Sequence, residues 1–139
     1  MISHLVLFKP RMTLGAAEKT AIVEHLKNAI AQCPTVRACR VGRRVQHGLA
    51  GYEQQMSEDY QYALILDFDN VEGLVAYLQN PAHAAIGGLF TSAASASLAY
   101  DYELVELAEA QQLVNPPSAS RSLPAEAGSH RVQTGSEKI

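Results

Sequence analysis

The sequence predicts an α+β domain of order β-α-β-β-α-β, followed by a segment of different composition. Three observations carry this expectation. Four short segments read as strands, the third and fourth with a clear two-residue alternation, and two stretches of helical period divide those segments into one, two and one. The chain has 139 residues, the length of one domain of about 100 residues plus an extension. It is 47% apolar and 18% charged, an ordinary globular composition that excludes a wholly disordered chain.

Residues 2–8 (ISHLVLF) are short, apolar and bounded by Lys9-Pro10, so they read as a strand. His4, Val6 and Phe8 share one face, and Ser3, Leu5 and Leu7 the other. Across residues 15–32, Ile22, Leu26, Ala29, Ile30 and Cys33 form one apolar helical stripe. Thr13 is the expected cap, and Pro34 stops the helix. Residues 36–45 read as a second strand carrying Val36, Val41 and Val45, with Gly42 marking a bulge or a close backbone approach. A polar, glycine-containing loop follows over 46–58.

The clearest strand spans 60–68. Tyr60, Tyr62, Leu64, Leu66 and Phe68 point one way, and Gln61, Ala63, Ile65 and Asp67 the other. Asp69-x-x-Glu72 resembles a capping box for a helix over 71–79, with Leu74, Val75 and Leu78 inward. Asn80-Pro81 starts a further helix, Asn80 capping it and Pro81 in the first helical position, where a missing N–H costs nothing. That helix is expected to reach residue 89, with 91–97 as a loop. Residues 98–107 close the domain as a strand, with Leu98, Tyr100, Tyr102 and Leu104 on one face.

This order is the ferredoxin-like split unit. Helices cover one face of its four-stranded sheet. The first and third strands carry apolar residues on both faces, so the second face is expected to be buried as well. A face-to-face homodimer supplies that burial.

Residues 1–107 form this domain. Residues 108–139 are rich in Ala, Ser, Pro, Gly and Gln, and Pro116, Pro117 and Pro124 break any long helix. They are expected to be a mostly disordered extension with a short helical start, open to a partner-docking role. Charges in this extension cancel, so the net charge of −3 belongs to residues 1–107. A strongly basic nucleic-acid binder is thereby excluded. Arg37, Arg40, Arg43 and Arg44 fall on both faces of their strand and read as solvated or edge-protecting groups.

No apolar run approaches the ~20 residues of a membrane span, and the N-terminus does not read as a signal peptide. No membrane partner is expected. Cys33 and Cys39 have neither disulfide-framework nor C-x-x-C spacing, so the expected setting is cytoplasmic and reduced, with two inert thiols.

Four histidines lie in the domain. His25, beside the helical stripe, and His47, in the polar loop, read as surface residues. His4 shares an apolar strand face, where it is either a satisfied core residue or a cavity group. His83 sits in the first turn of the helix opened by Asn80-Pro81, where the helix dipole disfavours an imidazolium. A neutral imidazole there accepts a proton or a hydrogen bond. Tyr77 lies six residues earlier. If the His4 and Tyr62 faces look toward the helices, His4, Tyr62, Tyr77 and His83 are expected to line one cavity. No metal motif is present, and no cofactor is expected.

The segments HLVLFKP, PTV…VGRRV, YALILDFDNVEGLVAYLQNPAHAAI and ASLAYDYELVEL resemble the stress-responsive dimeric α/β-barrel (Dabb) family over residues 1–107. H-x-V-x-F-K and Y-L-x-N-P-A-H are its most specific pieces. The resemblance implies ferredoxin-like protomers whose sheets pack across a two-fold axis into a dimeric α/β barrel. It also implies site roles, because a plant member of the family closes a polyketide by aldol condensation without a cofactor. His83 then corresponds to its base, Tyr77 to the assisting tyrosine, and His4 to a histidine lining the cavity. Tyr62 and Leu26 stand where that enzyme has a histidine and a tyrosine, so the pocket is related but not the same.

The expected function is a homodimer that binds a small hydrophobic or aromatic carbonyl compound, with cofactor-independent acid/base activity, cyclase- or isomerase-like. The alternative is a non-enzymatic stress-response or assembly protein whose dimer is the functional unit. A haem-degrading or quinone-forming monooxygenase rests on fold analogy alone.

Overall fold

The computed structural model describes residues 1–115. Its first unit, Met1–Glu106, contains β1 (Ile2–Pro10), α1 (Ala16–Ala31), β2 (Ala38–Arg43), β3 (Tyr62–Phe68), α2 (Val71–Gln79), α3 (Pro81–Ala93) and β4 (Ala94–Glu103). The strands form one antiparallel sheet in the order β2-β3-β1-β4. This is the ferredoxin-like α+β fold expected from the sequence. Leu107 opens a second unit, described as a 3-10 turn, Leu107–Glu109, and a short helix α4, Ala110–Val114. The expectation of a disordered extension falls outside the described residues from 116 onward.

β1 lies at the centre of the sheet. His4 is registered against Leu66 of β3 and Asp101 of β4, and Phe8 against Tyr62. The face bearing His4, Val6 and Phe8 looks at the helices, as do Leu64, Leu66 and Phe68. Leu66 and Phe68 are fully buried, and each such side chain contributes about 1.5–3 kcal/mol by leaving water. Leu26, Ala29 and Cys33 of the α1 side, Leu74 and Tyr77 of α2, and Ile86 of α3 complete this core.

Several local expectations change. Gly15, not Thr13, precedes α1, and its N–H donates to Glu18 Oε2 at 2.9 Å. Asn70, rather than Asp69, caps α2 by accepting from the Gly73 N–H. The helix spans 71–79 as expected, but it turns Leu74 and Tyr77 into the core, while Val75 and Leu78 are 40% and 36% exposed. β2 is shorter than expected, and Gly42 continues its ladder opposite Ala63 without a bulge. The predicted loop 91–97 is absent: α3 runs to Ala93 and β4 starts at Ala94. Alanine and serine tolerate both states, so their run gave no sign of the direct passage from helix to strand. β3 starts at Tyr62 and β4 ends at Glu103.

Candidate functional site

The site begins with the junction of α2 and α3. Asn80 ends the first helix and caps the second; its side chain accepts from the Ala82 N–H at 2.9 Å. Its amide also donates to the Gln32 carbonyl at 3.3 Å, tying the junction to the end of α1. Pro81 follows at the start of α3. Tyr77 and His83 therefore flank a sharply defined corner, with ring centroids 4.7 Å apart.

His4 completes the cluster from the sheet. Its ring centroid lies 5.9 Å from that of Tyr77 and 6.4 Å from that of His83, all with edge-to-face geometry. Tyr77 packs on Phe68, with centroids 5.4 Å apart. The sequence reading missed the fourth member, Asp101. Its Oδ1 lies 2.6 Å from His4 Nδ1 across the β1–β4 ladder, the His4 side chain being buried and the Asp101 side chain half exposed. With the carboxylate accepting from the Nδ1–H, neutral His4 keeps Nε2 as an acceptor.

Burial holds His83 below the ordinary histidine range, and neighbouring His4 lowers it further; a backbone hydrogen bond at Leu78 opposes both. His83 is thus neutral near pH 7, with burial as the first cause. Burial pushes the Tyr77 phenol up to about 12, with Cys33 and Cys39 adding to the effect. Tyr77 remains a proton donor at neutral pH. Both cysteines are free thiols, pushed up by burial. Among the described residues no group of three His, Cys, Asp or Glu side chains is placed to hold a metal ion.

Tyr62 and Leu26 lie elsewhere. With Phe8, Val41, Leu64 and Phe90 they line an apolar cavity of about 280 Å³ between α1 and the sheet. His4, Tyr77 and His83 do not line it, which corrects the expectation of one shared cavity. Tyr62 does share the helix-facing side of β3, but it pairs with Phe8 whereas His4 pairs with Leu66. Four residues along a strand separate side chains by about 13 Å. Leu26 and Leu64 belong both to the cavity lining and to the core cluster that holds Tyr77, so they form the wall between the two places.

The remaining candidates are peripheral. His25 is exposed on α1, and His47 accepts from the Leu49 N–H within its loop. Arg37, Arg40 and Arg44 pair with Asp69, Asp67 and Asp59 at 2.7, 2.8 and 2.5 Å.

The model of the stress responsive A/B barrel domain family matches residues 2–104, nearly the whole first unit. The chain belongs to this family. No curated protein matches it. Among solved structures, this A/B barrel domain is similar to a dimeric ferredoxin-like protein of unknown function from Bacteroides fragilis, with 27% identity and a TM-score of 0.53 over 74% of this chain and 95% of that one. It is also similar to a hydroxynitrile lyase from Passiflora edulis, with 14% identity and a TM-score of 0.66 over 76% and 94% of the two chains. A third similar structure is SnoaB, a cofactor-independent oxygenase from Streptomyces nogalater, with 11% identity and a TM-score of 0.57 over 76% and 93%. The last two likenesses concern the fold alone. No helix of the described residues is long and apolar enough to cross a membrane.

Proposed function

We propose that this protein is a homodimer that binds a small hydrophobic or aromatic carbonyl compound between its sheet and helices and acts on it by cofactor-independent acid–base chemistry. The packing of His83, Tyr77 and His4, with centroids 4.7 to 6.4 Å apart, carries this reading. A neutral imidazole, a protonated phenol and an imidazole held by a carboxylate are what proton abstraction next to a carbonyl needs. His83 takes the proton from the α-carbon. Tyr77 donates a hydrogen bond to the oxygen as negative charge develops on it, and His4 orients the carbonyl. The protonated His83 then returns the proton to carbon, so the base is regenerated. Leu26, in the wall beside the imidazoles, contacts the apolar part of the compound, whereas Tyr62 lies across that wall. That two similar folds belong to a lyase and a cofactor-independent oxygenase fits such a use of the scaffold.

The homodimer is supported by the sheet face opposite the helices, which carries Leu5, Leu7 and Ile65, and by the dimeric Bacteroides fragilis structure. Two free thiols fit a reducing, cytoplasmic setting.

The test is hydrogen–deuterium exchange at the methyl group of acetophenone in D2O, followed by proton NMR. The wild-type protein should accelerate exchange over buffer, and His83→Ala should lower the rate by about 100-fold or more. Exchange no faster than in buffer, or unchanged in His83→Ala, would overturn the catalytic role.

One observation favours the second reading, a non-enzymatic stress-response or assembly protein. Leu26 and Leu64 stand between the cavity and the imidazoles. On that reading His83 and Tyr77 serve packing, and the dimer itself is the functional unit.

A further inference from the structure

The apolar cavity has one charged group in its lining, Lys19, from the first turns of α1. Its Nζ lies 6.0 Å from the centroid of the Tyr62 ring, which lines the same cavity. The other two lysines of the first unit are each paired with a carboxylate: Lys9 with Glu58, and Lys27 with Glu24. No ion pair among the described residues includes Lys19. An ammonium held against an aromatic face, without a carboxylate partner and at the edge of an apolar hollow, is matched by a ligand with an anionic head and an apolar body.

We propose that this cavity takes a medium-chain amphiphilic carboxylate, with the head on the Lys19 ammonium and the chain running along Phe8, Ile22 and Phe90 to the Leu26–Leu64 wall. The inference goes beyond the reading above, since a second compound is held here, in a cavity across the Leu26–Leu64 wall from His4, Tyr77 and His83. Its size sets the chain length. At the ~30 Å³ that a water molecule occupies in the liquid, 280 Å³ holds about ten non-hydrogen atoms, the number in octanoate. The cavity lining is otherwise almost wholly apolar, so the body of the ligand needs no polar partner there. Thr20, next to Lys19 on α1, adds a hydroxyl to the lining.

Calorimetric titration of the full-length protein with octanoate, 1-nonanol and nonylammonium tests the proposal, since the three share size and differ in head group. Octanoate should bind most tightly and nonylammonium least. Lys19→Ala should weaken octanoate about tenfold and leave 1-nonanol unchanged, while Lys19→Arg should retain most of the octanoate affinity. If 1-nonanol binds as tightly as octanoate, or Lys19→Ala leaves octanoate unaffected, the head-group assignment fails and the apolar cavity reading survives. If none of the three binds, both fail. Leu26→Trp, which fills the cavity from its far wall, should abolish binding of octanoate and 1-nonanol alike; a fold check by circular dichroism accompanies it, and retained binding in a folded variant would place the ligand elsewhere and overturn the proposal.

Discussion

His4 and Asp101 meet across neighbouring strands, Nδ1 to Oδ1 at 2.6 Å, although 97 positions separate them in the chain. The contact fixes which imidazole nitrogen faces Tyr77 and His83. Asp101→Asn should therefore leave the fold intact and redistribute the His4 tautomers, visible in nitrogen-15 spectra of the ring. Acetophenone exchange should fall about tenfold, because the orientation of the second imidazole is lost while His83 remains.

Tyr77→Phe keeps the ring that packs on Phe68 and removes only the hydroxyl. The melting temperature should stay within a few degrees of wild type. Exchange should drop about 100-fold if the phenol stabilises the developing oxyanion. In the wild-type protein, ultraviolet titration should show Tyr77 ionising only near pH 12, and that step should be missing from the variant.

The lowered His83 value sets a pH dependence of stability. Unfolded His83 takes up its proton near the ordinary histidine value, before the folded side chain does. Between that value and the lower folded one, the unfolded state binds more protons, so stability falls as pH drops through the window. Thermal melts at pH 7.5 and 5.5 should show wild type losing more stability on acidification than His83→Gln does. An equal loss in both would mean that the His83 burial has no such effect.

Phe68 is wholly buried beneath α2 and against Tyr77. Phe68→Ala should cost about 3–5 kcal/mol in urea unfolding, the usual result of emptying an aromatic core position. A cost below about 1 kcal/mol would contradict the core described above.

On the other face of the sheet, Ile65 is half-buried in the middle of β3. Ser3 and Arg40 both hydrogen-bond the buried Asp67 there. Ile65→Lys places an unpaired charge in the proposed protomer contact. Light scattering should then report a monomer where wild type is a dimer, since desolvating that charge costs several kcal/mol.

Much of the fold was legible because its signals are local and periodic. The two-residue alternation in β3 assigned the faces of Tyr62, Leu64, Leu66 and Phe68, and Asn80-Pro81 marked the helix junction. The site was legible in part. Tyr77 and His83 are close along the chain, and His4 lies on the face that alternation assigned. Asp101 required the β1–β4 register, which no local pattern encodes; alternation did place it on the face opposite Tyr100 and Tyr102. The separation of Tyr62 from His4 was missed for a related reason. A shared face says nothing about distance along the strand, and that distance places the two on opposite sides of the Leu26–Leu64 wall.

The single-residue link at Asn80 makes the spacing between phenol and imidazole a matter of counting. Each residue added to an α-helix turns whatever follows by about 100°. One extra alanine between Pro81 and His83 would swing the imidazole around the helix, away from Tyr77, while leaving the composition of the site untouched. The chemistry of this corner is thus tied to an integer: insertions or deletions of one residue here should be far more damaging than most exchanges of side chain.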